Sequence, residues 1–208
     1  MSCVDAANGE TIWLSRYQRV HRVQAEYPRP NRFRYRDGNT AIVHQGLVIC
    51  LPQDCPEMFA LDAFTGELVW STNESEVADC TYVVGTSGGS LILGGDRVVW
   101  LASRNGQVVS HFPAPSTPGT IHALPQPRAL GRIALAGNQV MMTTSDRVYL
   151  FAADQAEFKA STNLPTQPKI LEQLSTRHCG GEGGIWTLNS QTLVIATPGR
   201  LICFRAEN

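Results

Sequence analysis

The sequence has no long apolar run and almost no net charge. Its 208 residues carry a formal charge of −1, and no uncharged apolar stretch approaches the roughly 18 residues that a membrane-spanning helix needs. The near-neutral balance argues against binding nucleic acid or a membrane surface through overall charge. The first residues lack a basic segment followed by an apolar stretch and a cleavage site. We therefore expect no transmembrane segment, no specific nucleic-acid partner and no signal peptide within these residues.

The six cysteines lack the close spacing that is typical of zinc or thioredoxin-like sites. A chain of this length with 43% apolar residues can form one sizeable core without disulfides. Cys50 and Cys203 lie in apolar runs, where a free thiol behaves as a small hydrophobic group. We expect mostly reduced cysteines, with a bridge between Cys50 and Cys55 as the leading exception.

Convincing helical periodicity is also lacking. Short runs rich in Val, Ile and Leu recur instead, bounded by Gly, Asn, Asp or Pro, which is the pattern of β-strands. Many of the links between runs contain Gly-Asp, Gly-Asn or Ser-Asp pairs, which favour hairpins. The sequence predicts an all-β chain in which neighbouring strands pair antiparallel.

One segment occurs twice: DAFTGELVW at Asp62–Trp70 repeats DAANGETIW at Asp5–Trp13 at most positions. The aspartates and the threonine can hydrogen-bond turn amides, the glycines can adopt a left-handed conformation, and the tryptophans can face the next sheet from an outer strand. The residues predicted to hold turns and joints are Asp5, Gly9, Trp13, Asp62, Thr65, Gly66 and Trp70.

The spacing of the turn motif predicts repeated four-stranded units. A period of about 40 to 55 residues with four strands per unit is the signature of a β-propeller blade. We expect a single propeller domain or partial propeller, with an incomplete first blade, three blades and an incomplete last blade. These units are Met1–Leu14, Ala41–Ser71, Tyr82–Phe112, Arg132–Lys159 and Gly184–Phe204.

The repeated motif resembles the tryptophan-docking repeat of the quinoprotein-like β-propellers, named for the pyrroloquinoline quinone (PQQ) dehydrogenases. That family also includes the lipoprotein scaffold of outer-membrane-protein assembly. The resemblance implies an eight-bladed ring, of which this chain supplies about four blades, and a location in the periplasm or cell envelope. We favour part of a larger ring. The alternatives are a small ring in which Thr11–Leu14 completes the last blade, and a dimer of half-rings, since open sheet edges are avoided.

Dehydrogenases of that family carry a vicinal cysteine pair beside the cofactor, together with acidic residues that hold calcium and abstract a proton. This sequence has no Cys-Cys pair and no evident acidic cluster. We therefore expect no catalytic residues, metal or cofactor, and a scaffold that binds a protein or small ligand through its inter-blade loops. The alternative is part of a PQQ- and calcium-dependent oxidoreductase, or of another propeller enzyme, whose catalytic residues lie largely outside this chain.

One basic segment, Arg16–Arg36, is hidden by the global charge balance. Seven arginines are interleaved there with aromatic residues, with only Glu26 and Asp37 to oppose them. Arginine forks suit phosphate or carboxylate groups, and aromatic faces can stack on bases or guanidinium planes. The plainer explanation is a solvated connection between blades, whose arginine stems cover aromatic rings. The candidate surface for an anion or an acidic partner consists of Arg29, Arg32, Arg34, Arg36 and Tyr35.

A glycine-rich loop near the C-terminus contains His178, Cys179 and Glu182. A base next to a thiol suggests a nucleophile, and the three side chains together suggest a metal site. Adjacent loop residues rarely point together, however, and zinc needs three or four converging ligands. We interpret the loop as a turn that enters the last blade.

Overall fold

The computed structural model describes residues 1–19, 38–114, 127–155, 167–175, 185–188, 192–197 and 200–205, and its regular structure is almost entirely β. The strands, β1 to β17, are Ser2–Val4, Thr11–Leu14, Ile42–His44, Leu47–Cys50, Met58–Asp62, Leu68–Thr72, Cys80–Ser87, Ser90–Gly95, Val98–Ala102, Val108–Phe112, Ala134–Ala136, Gln139–Thr143, Arg147–Ala152, Ile170–Ser175, Ile185–Leu188, Thr192–Thr197 and Arg200–Arg205. A four-residue helix, α1 (Glu74–Val77), follows β6. Within these ranges no helix has the length and apolarity to cross a membrane.

The strands form antiparallel sheets that follow one another along the chain. Sheet 1 contains β1 and β2, sheet 2 contains β3–β6, sheet 3 contains β7–β10, sheet 4 contains β11–β14 and sheet 5 contains β15–β17. Within each sheet, strands that are consecutive in sequence are hydrogen-bonded neighbours, so each sheet is a simple meander. The prediction of an all-β fold built from four-stranded antiparallel blades is confirmed.

Sheet 3 shows why the strands are apolar on both faces. Successive side chains of a strand point to opposite sides, so a sheet packed between two others needs apolar residues at every position. Leu91 and Leu93 of β8 belong to a buried cluster with Met58 of sheet 2. Ile92, between them in sequence, belongs to a second cluster with Phe151 of sheet 4. The core is therefore a series of apolar layers between successive sheets.

Sheet 4 continues further along the chain than the expected unit Arg132–Lys159. Its fourth strand is β14, Ile170–Ser175, which pairs with β13. Lys159 itself lies outside the described residues. Little in the sequence indicates β14, because ILEQLS is an outer strand with partly buried residues at Ile170 and Leu174 and exposed residues elsewhere. Such a strand lacks the continuous apolar run by which the others were recognised.

The small-ring alternative is not formed by the described strands. It required Thr11–Leu14 to complete the last blade, whereas β2 pairs with β1. In the described part of the chain sheet 5 has the order β15-β16-β17, without a strand from the N-terminal region. The two incomplete units are therefore separate sheets.

The described cysteines are free thiols, and Cys50, Cys55 and Cys80 are buried. The leading exception, a bridge between Cys50 and Cys55, is therefore not formed. Burial raises the pKa of the Cys50 thiol to about 11. The thiol thus stays protonated at neutral pH and packs as a small apolar group.

Candidate binding groove between the first two sheets

The contact between sheets 1 and 2, which we call joint 1, is built around Trp13. Its side chain is buried, and the indole Nε1 donates a 3.0 Å hydrogen bond to the carbonyl oxygen of Ala63 in the turn after β5. Gly66, in the same turn, has a φ of +73°, and a Cβ at this position would lie 2.6 Å from the Trp13 ring. Glycine is needed here both for the backbone conformation and for the close approach of the indole.

The contact between sheets 2 and 3, joint 2, repeats this arrangement with Trp70. The indole Nε1 donates a 3.0 Å hydrogen bond to the carbonyl oxygen of Ser103. Gly106 has a φ of +68°, and any side chain there would collide with the Trp70 ring. Each indole thus lies across the turn that joins the third and fourth strands of the following sheet.

The contact between sheets 3 and 4, joint 3, uses a tryptophan that the repeat did not predict. The position that corresponds to Trp70 is Ser110, four residues after Gly106. Trp100 of β9 lies directly opposite Ser110 in the β9–β10 pair, and its Nε1 donates a 3.0 Å hydrogen bond to the carbonyl oxygen of Ala153. The neighbouring strand therefore supplies the indole. The sequence does contain a signal for this contact, because Ser110 stands where the repeat predicts a tryptophan and Trp100 lies nearby without an assigned role.

A carboxylate strengthens joint 3. Asp154 accepts a 2.8 Å hydrogen bond from the Ser90 hydroxyl and a 3.3 Å hydrogen bond from the Gly89 amide. Gly88 has a φ of +55°, and a Cβ there would overlap the Asp154 carboxylate. The glycine pair between β7 and β8 therefore forms a hairpin turn that receives this carboxylate, and the turn ties sheet 3 to sheet 4.

The turn aspartates shape the turns themselves. Asp62 Oδ1 accepts hydrogen bonds from the amides of Phe64 and Thr65, both at 2.8 Å. These backbone donors, Thr65 first, lower the pKa of Asp62. Asp5 accepts a 2.7 Å hydrogen bond from the amide of Ala7 in the corresponding turn of sheet 1. Both carboxylates therefore have a structural task.

The outward faces of the first and last sheets are apolar and exposed. Val4, Ile12 and Leu14, on the side of sheet 1 away from Trp13, are 52%, 57% and 69% exposed. Leu201 of sheet 5 is 77% exposed. Gly9 has a φ of +75°, but unlike the corresponding glycines of sheets 2 and 3 it has no described side chain against it.

Joint 1 differs from joint 2 in leaving an open groove. Leu68 and Val108 occupy corresponding positions, two residues after the turn glycine, yet Leu68 is 63% exposed and Val108 only 5%. In joint 2 the fully buried Val77 of α1 packs into the same cluster as Val108. In joint 1 a cavity of about 170 Å³ remains. Its lining residues are Arg16, Tyr17, Gln18, Cys55, Glu57, Phe59, Leu61, Leu68 and Ser71.

One wall of the groove is fixed by a carboxylate. Asp54 accepts a 2.9 Å hydrogen bond from the Tyr17 hydroxyl and a 2.5 Å ion-pair contact from Arg19 Nε. The Tyr17 ring packs on Phe59, with 5.3 Å between ring centroids. These contacts hold the segment that follows β2 against sheet 2.

The same contacts shift two pKa values in opposite directions. Burial, and then the hydrogen bond to Asp54, raise the pKa of Tyr17. Burial alone would raise the pKa of Asp54 as well, but the hydrogen bonds from Tyr17 and Arg19 outweigh it and hold that pKa below its usual value. The carboxylate is thus ionised and the phenol neutral across the physiological range.

Arg16 is one of two charged residues that line the groove, and Glu57 is the other. The Arg16 side chain is exposed, and it makes no ion pair with any residue in the ranges that the structure describes. Arg19, three residues later, is already paired with Asp54. The groove therefore combines an apolar floor with one basic and one acidic side chain, Arg16 and Glu57.

A family model described as outer membrane protein assembly factor BamB matches residues 1–208, which is the whole chain. The chain belongs to this family. The resemblance to the PQQ-type propellers is thereby confirmed, since the BamB family is one of their branches. No curated protein sequence gives a significant match.

Solved structures that resemble this chain include a BamB protein, a quinohemoprotein alcohol dehydrogenase and a computationally designed protein. BamB from Moraxella catarrhalis is 15% identical, with a TM-score of 0.46 over 76% of this chain and 42% of that chain. Quinohemoprotein alcohol dehydrogenase from Comamonas testosteroni is 14% identical, with a TM-score of 0.43 over 76% and 28%. The computationally designed Ika4 protein is 10% identical, with a TM-score of 0.47 over 83% and 99%. This BamB-family chain spans about two fifths of the length of the Moraxella protein.

Two sets of predicted site residues fall outside the described ranges. They are the arginine surface of Arg29, Arg32, Arg34, Arg36 and Tyr35, and the loop with His178, Cys179 and Glu182. Within the described ranges, no three side chains of His, Cys, Asp or Glu are grouped as metal ligands.

Proposed function

We propose that this BamB-family chain is a non-catalytic, protein-binding scaffold that acts in the assembly of outer membrane proteins. The observation that carries the proposal is the open groove at joint 1, which lies on sheets held together by indole contacts. Membership in a family described as an outer membrane protein assembly factor supplies the process. The scaffold works by presenting a fixed surface, because binding groups held on rigid elements lose little entropy when a partner docks.

The proposal also places the protein in the periplasm or cell envelope. Deleting its gene in the source organism should lower the amount of folded outer membrane β-barrel protein, measured by heat-modifiable migration on gels. Expression of the wild-type chain within its full reading frame should restore that amount. An unchanged level of folded barrels in the deletion strain, or recovery of the protein in the cytoplasmic fraction, would contradict the proposal.

We propose further that the arginine segment contributes to partner binding. Replacing Arg29, Arg32 and Arg34 together by alanine should weaken capture of a crosslinked envelope partner and flatten its salt dependence, because arginine forks bind carboxylates. A matched control removes three arginines elsewhere, Arg104, Arg200 and Arg205, and should leave capture unchanged. Equal capture by both triple variants would remove the arginines from the proposal.

The enzyme alternative has a separate test. Incubation with PQQ and calcium should leave the thermal midpoint of a scaffold unchanged, whereas a bound cofactor stabilises the folded state by mass action. A concentration-dependent rise in the midpoint would favour the oxidoreductase branch of the family.

We also propose that these sheets form part of a larger ring. The exposed apolar faces of sheets 1 and 5 support this, since propeller sheets bury both faces against neighbours. A dimer of half-rings would cover the same faces. The molar mass in solution separates these arrangements. If further blades in the full reading frame cover the faces, the protein from that reading frame should be a monomer. If two half-rings pair, the 208-residue chain should have twice its mass of 22.7 kDa.

A further inference from the structure

We propose that the groove at joint 1 binds one apolar side chain from an extended, acidic segment of a partner protein, and that a carboxylate beside that side chain pairs with Arg16. This inference deepens the proposed function and rests on it, since it names the kind of peptide that the scaffold would hold. It adds a site that involves neither the turn tryptophans nor the arginines beyond Arg19.

The size of the cavity selects a side chain over a cofactor. A volume of about 170 Å³ is well below the roughly 300–1,000 Å³ of pockets that enclose drug-sized ligands. It suits a single leucine, isoleucine or phenylalanine side chain. The groove is open along Leu68, which is 63% exposed, so the rest of a bound peptide can continue over the surface.

The lining makes the occupant apolar. Phe59 and Leu61 are 4% and 2% exposed and form the floor, and Leu68 stands at the edge. Phe59 is cross-strand to Ser71, and Leu61 to Leu68, so the four side chains lie on one face of sheet 2. An incoming apolar side chain would remove the exposed part of Leu68 from water, which is the main favourable contribution.

Charge complementarity makes the partner acidic. Two charged side chains line the groove, Arg16 and Glu57. Glu57 already takes part in another interaction, whereas Arg16 has no ion pair among the described residues. Asp54, beside the groove, is satisfied by Tyr17 and Arg19. A carboxylate of the partner is therefore attracted to Arg16, and an ammonium group in its place is repelled.

The corresponding region of joint 2 shows what fills such a groove. There α1 brings Val77 into the core at 0% exposure, with acidic Glu74 and Glu76 in the same short helix. An apolar residue flanked by carboxylates is thus the element that this chain itself uses to seal the space between two of its sheets. The partner segment that we propose has the same composition.

Binding of synthetic peptides to the full 208-residue chain tests the proposal directly. The probe is a fluorescein-labelled peptide with one central leucine and two aspartates on each side in a Gly/Ser background, titrated at low and high salt. We expect a Kd on the order of 100 μM, because one buried side chain and one screened ion pair leave little surplus over the cost of association. Replacing the central leucine by serine should weaken binding about tenfold, and replacing the aspartates by asparagines should abolish the salt-dependent part.

Two pairs of variants locate the site. Leu68→Glu should weaken binding of the leucine peptide at least tenfold, whereas Val43→Glu, at a residue that is 72% exposed and outside the groove, should have no effect. Arg16→Ala should weaken binding about threefold at low salt, and Arg104→Ala should not. Urea midpoints equal to that of the wild type verify that each variant folds, and methyl NMR shifts of leucines 61 and 68 on titration report occupancy of the groove.

Clear outcomes overturn the inference. Absence of peptide binding at about 1 mM, equal binding by Leu68→Glu and Val43→Glu, or binding without shifts of the two leucine methyl groups would each show that the groove does not take this ligand. Failure of the proposed function is seen separately, in an unchanged level of folded barrels in the deletion strain. If the Leu68→Glu variant fully rescues the deletion phenotype, the proposed scaffold function is retained and the proposed role of the groove is rejected.

Discussion

Joints 1 and 2 use the same indole contact but differ in the segment that follows the tryptophan strand. In joint 2, Asn73 caps α1 by accepting a 3.0 Å hydrogen bond from the Ser75 amide, and the helix places Val77 in the core. In joint 1, Ser15–Arg19 has no helix and leaves the groove beside Leu68 open. The repeat motif thus fixes how sheets are joined, and the sequence just after it decides whether the joint is sealed.

A buried arginine reinforces the sealed joint. Arg97 is 5% exposed, and it donates a 3.3 Å hydrogen bond to the carbonyl oxygen of Glu76 while lying 3.6 Å from Asp79. A cation is favourable next to the carbonyl end of a helix, so this contact holds α1 against sheet 3. The corresponding contact in joint 1, between Arg19 and Asp54, is at the surface, with the Arg19 side chain 71% exposed. We infer that joint 2 contributes more to stability and that joint 1 is freer to bind.

The largest difference should appear when each docking tryptophan is removed. Trp70→Ala leaves a cavity between two complete sheets and should lower the free energy of unfolding by about 3–5 kcal/mol. Trp13→Ala should cost less, because sheet 1 has two described strands and an exposed outward face. Urea unfolding followed by circular dichroism measures both losses. Equal losses would mean that the two joints are energetically alike.

The next largest difference in the free energy of unfolding should come from placing lysine at Val108 and at Leu68, the corresponding positions two residues after each turn glycine. Val108→Lys places an ammonium group where the side chain is 5% exposed, and should cost about 3–4 kcal/mol through lost apolar burial and desolvation of charge. Leu68→Lys changes an exposed side chain, and should stay within about 0.5 kcal/mol of the wild type. A large loss for Leu68→Lys would show that joint 1 is sealed in solution.

Much of this architecture could be predicted from the sequence because turns impose strict local demands. The repeat pointed to Gly66 and Trp70, and the structure places a glycine of positive φ and a buried indole at these positions. Trp100 could not be found in the same way, because it replaces the missing indole from the neighbouring strand, and cross-strand register is not written in local sequence. The groove was beyond prediction for a similar reason. The groove lies between the Ser15–Arg19 segment and sheet 2, and its shape depends on how that segment packs.

Alanine substitutions at the turn glycines measure how much the close contact with the indole contributes to the free energy of unfolding. Gly106→Ala both strains a backbone at φ +68° and pushes against the Trp70 ring, and should cost about 2–3 kcal/mol. Gly46→Ala is the matched control, since Gly46 has a φ of +78° but nothing within 4 Å of a Cβ, and only the backbone cost of about 1–2 kcal/mol applies. The difference between the two urea midpoints isolates the clash with the indole. Indistinguishable midpoints would show that the ring moves aside freely.

The smallest effect concerns the surface carboxylate that fixes the wall of the open joint. The pKa of Asp54 is lowered in the folded chain from its ordinary value of 3.8, so the unfolded state binds the proton more tightly. The ionised carboxylate therefore stabilises the fold above pH 3.8, and this contribution is lost as the pH falls through the folded pKa. Because Arg19 is largely exposed and screened by solvent, the contribution should stay below about 1 kcal/mol. Comparing urea midpoints of the wild type and Asp54→Asn at pH 6 and pH 3 should show a gap at the higher pH that closes at the lower one. A gap that persisted at pH 3 would mean that Asp54 stabilises joint 1 through packing and not through its charge.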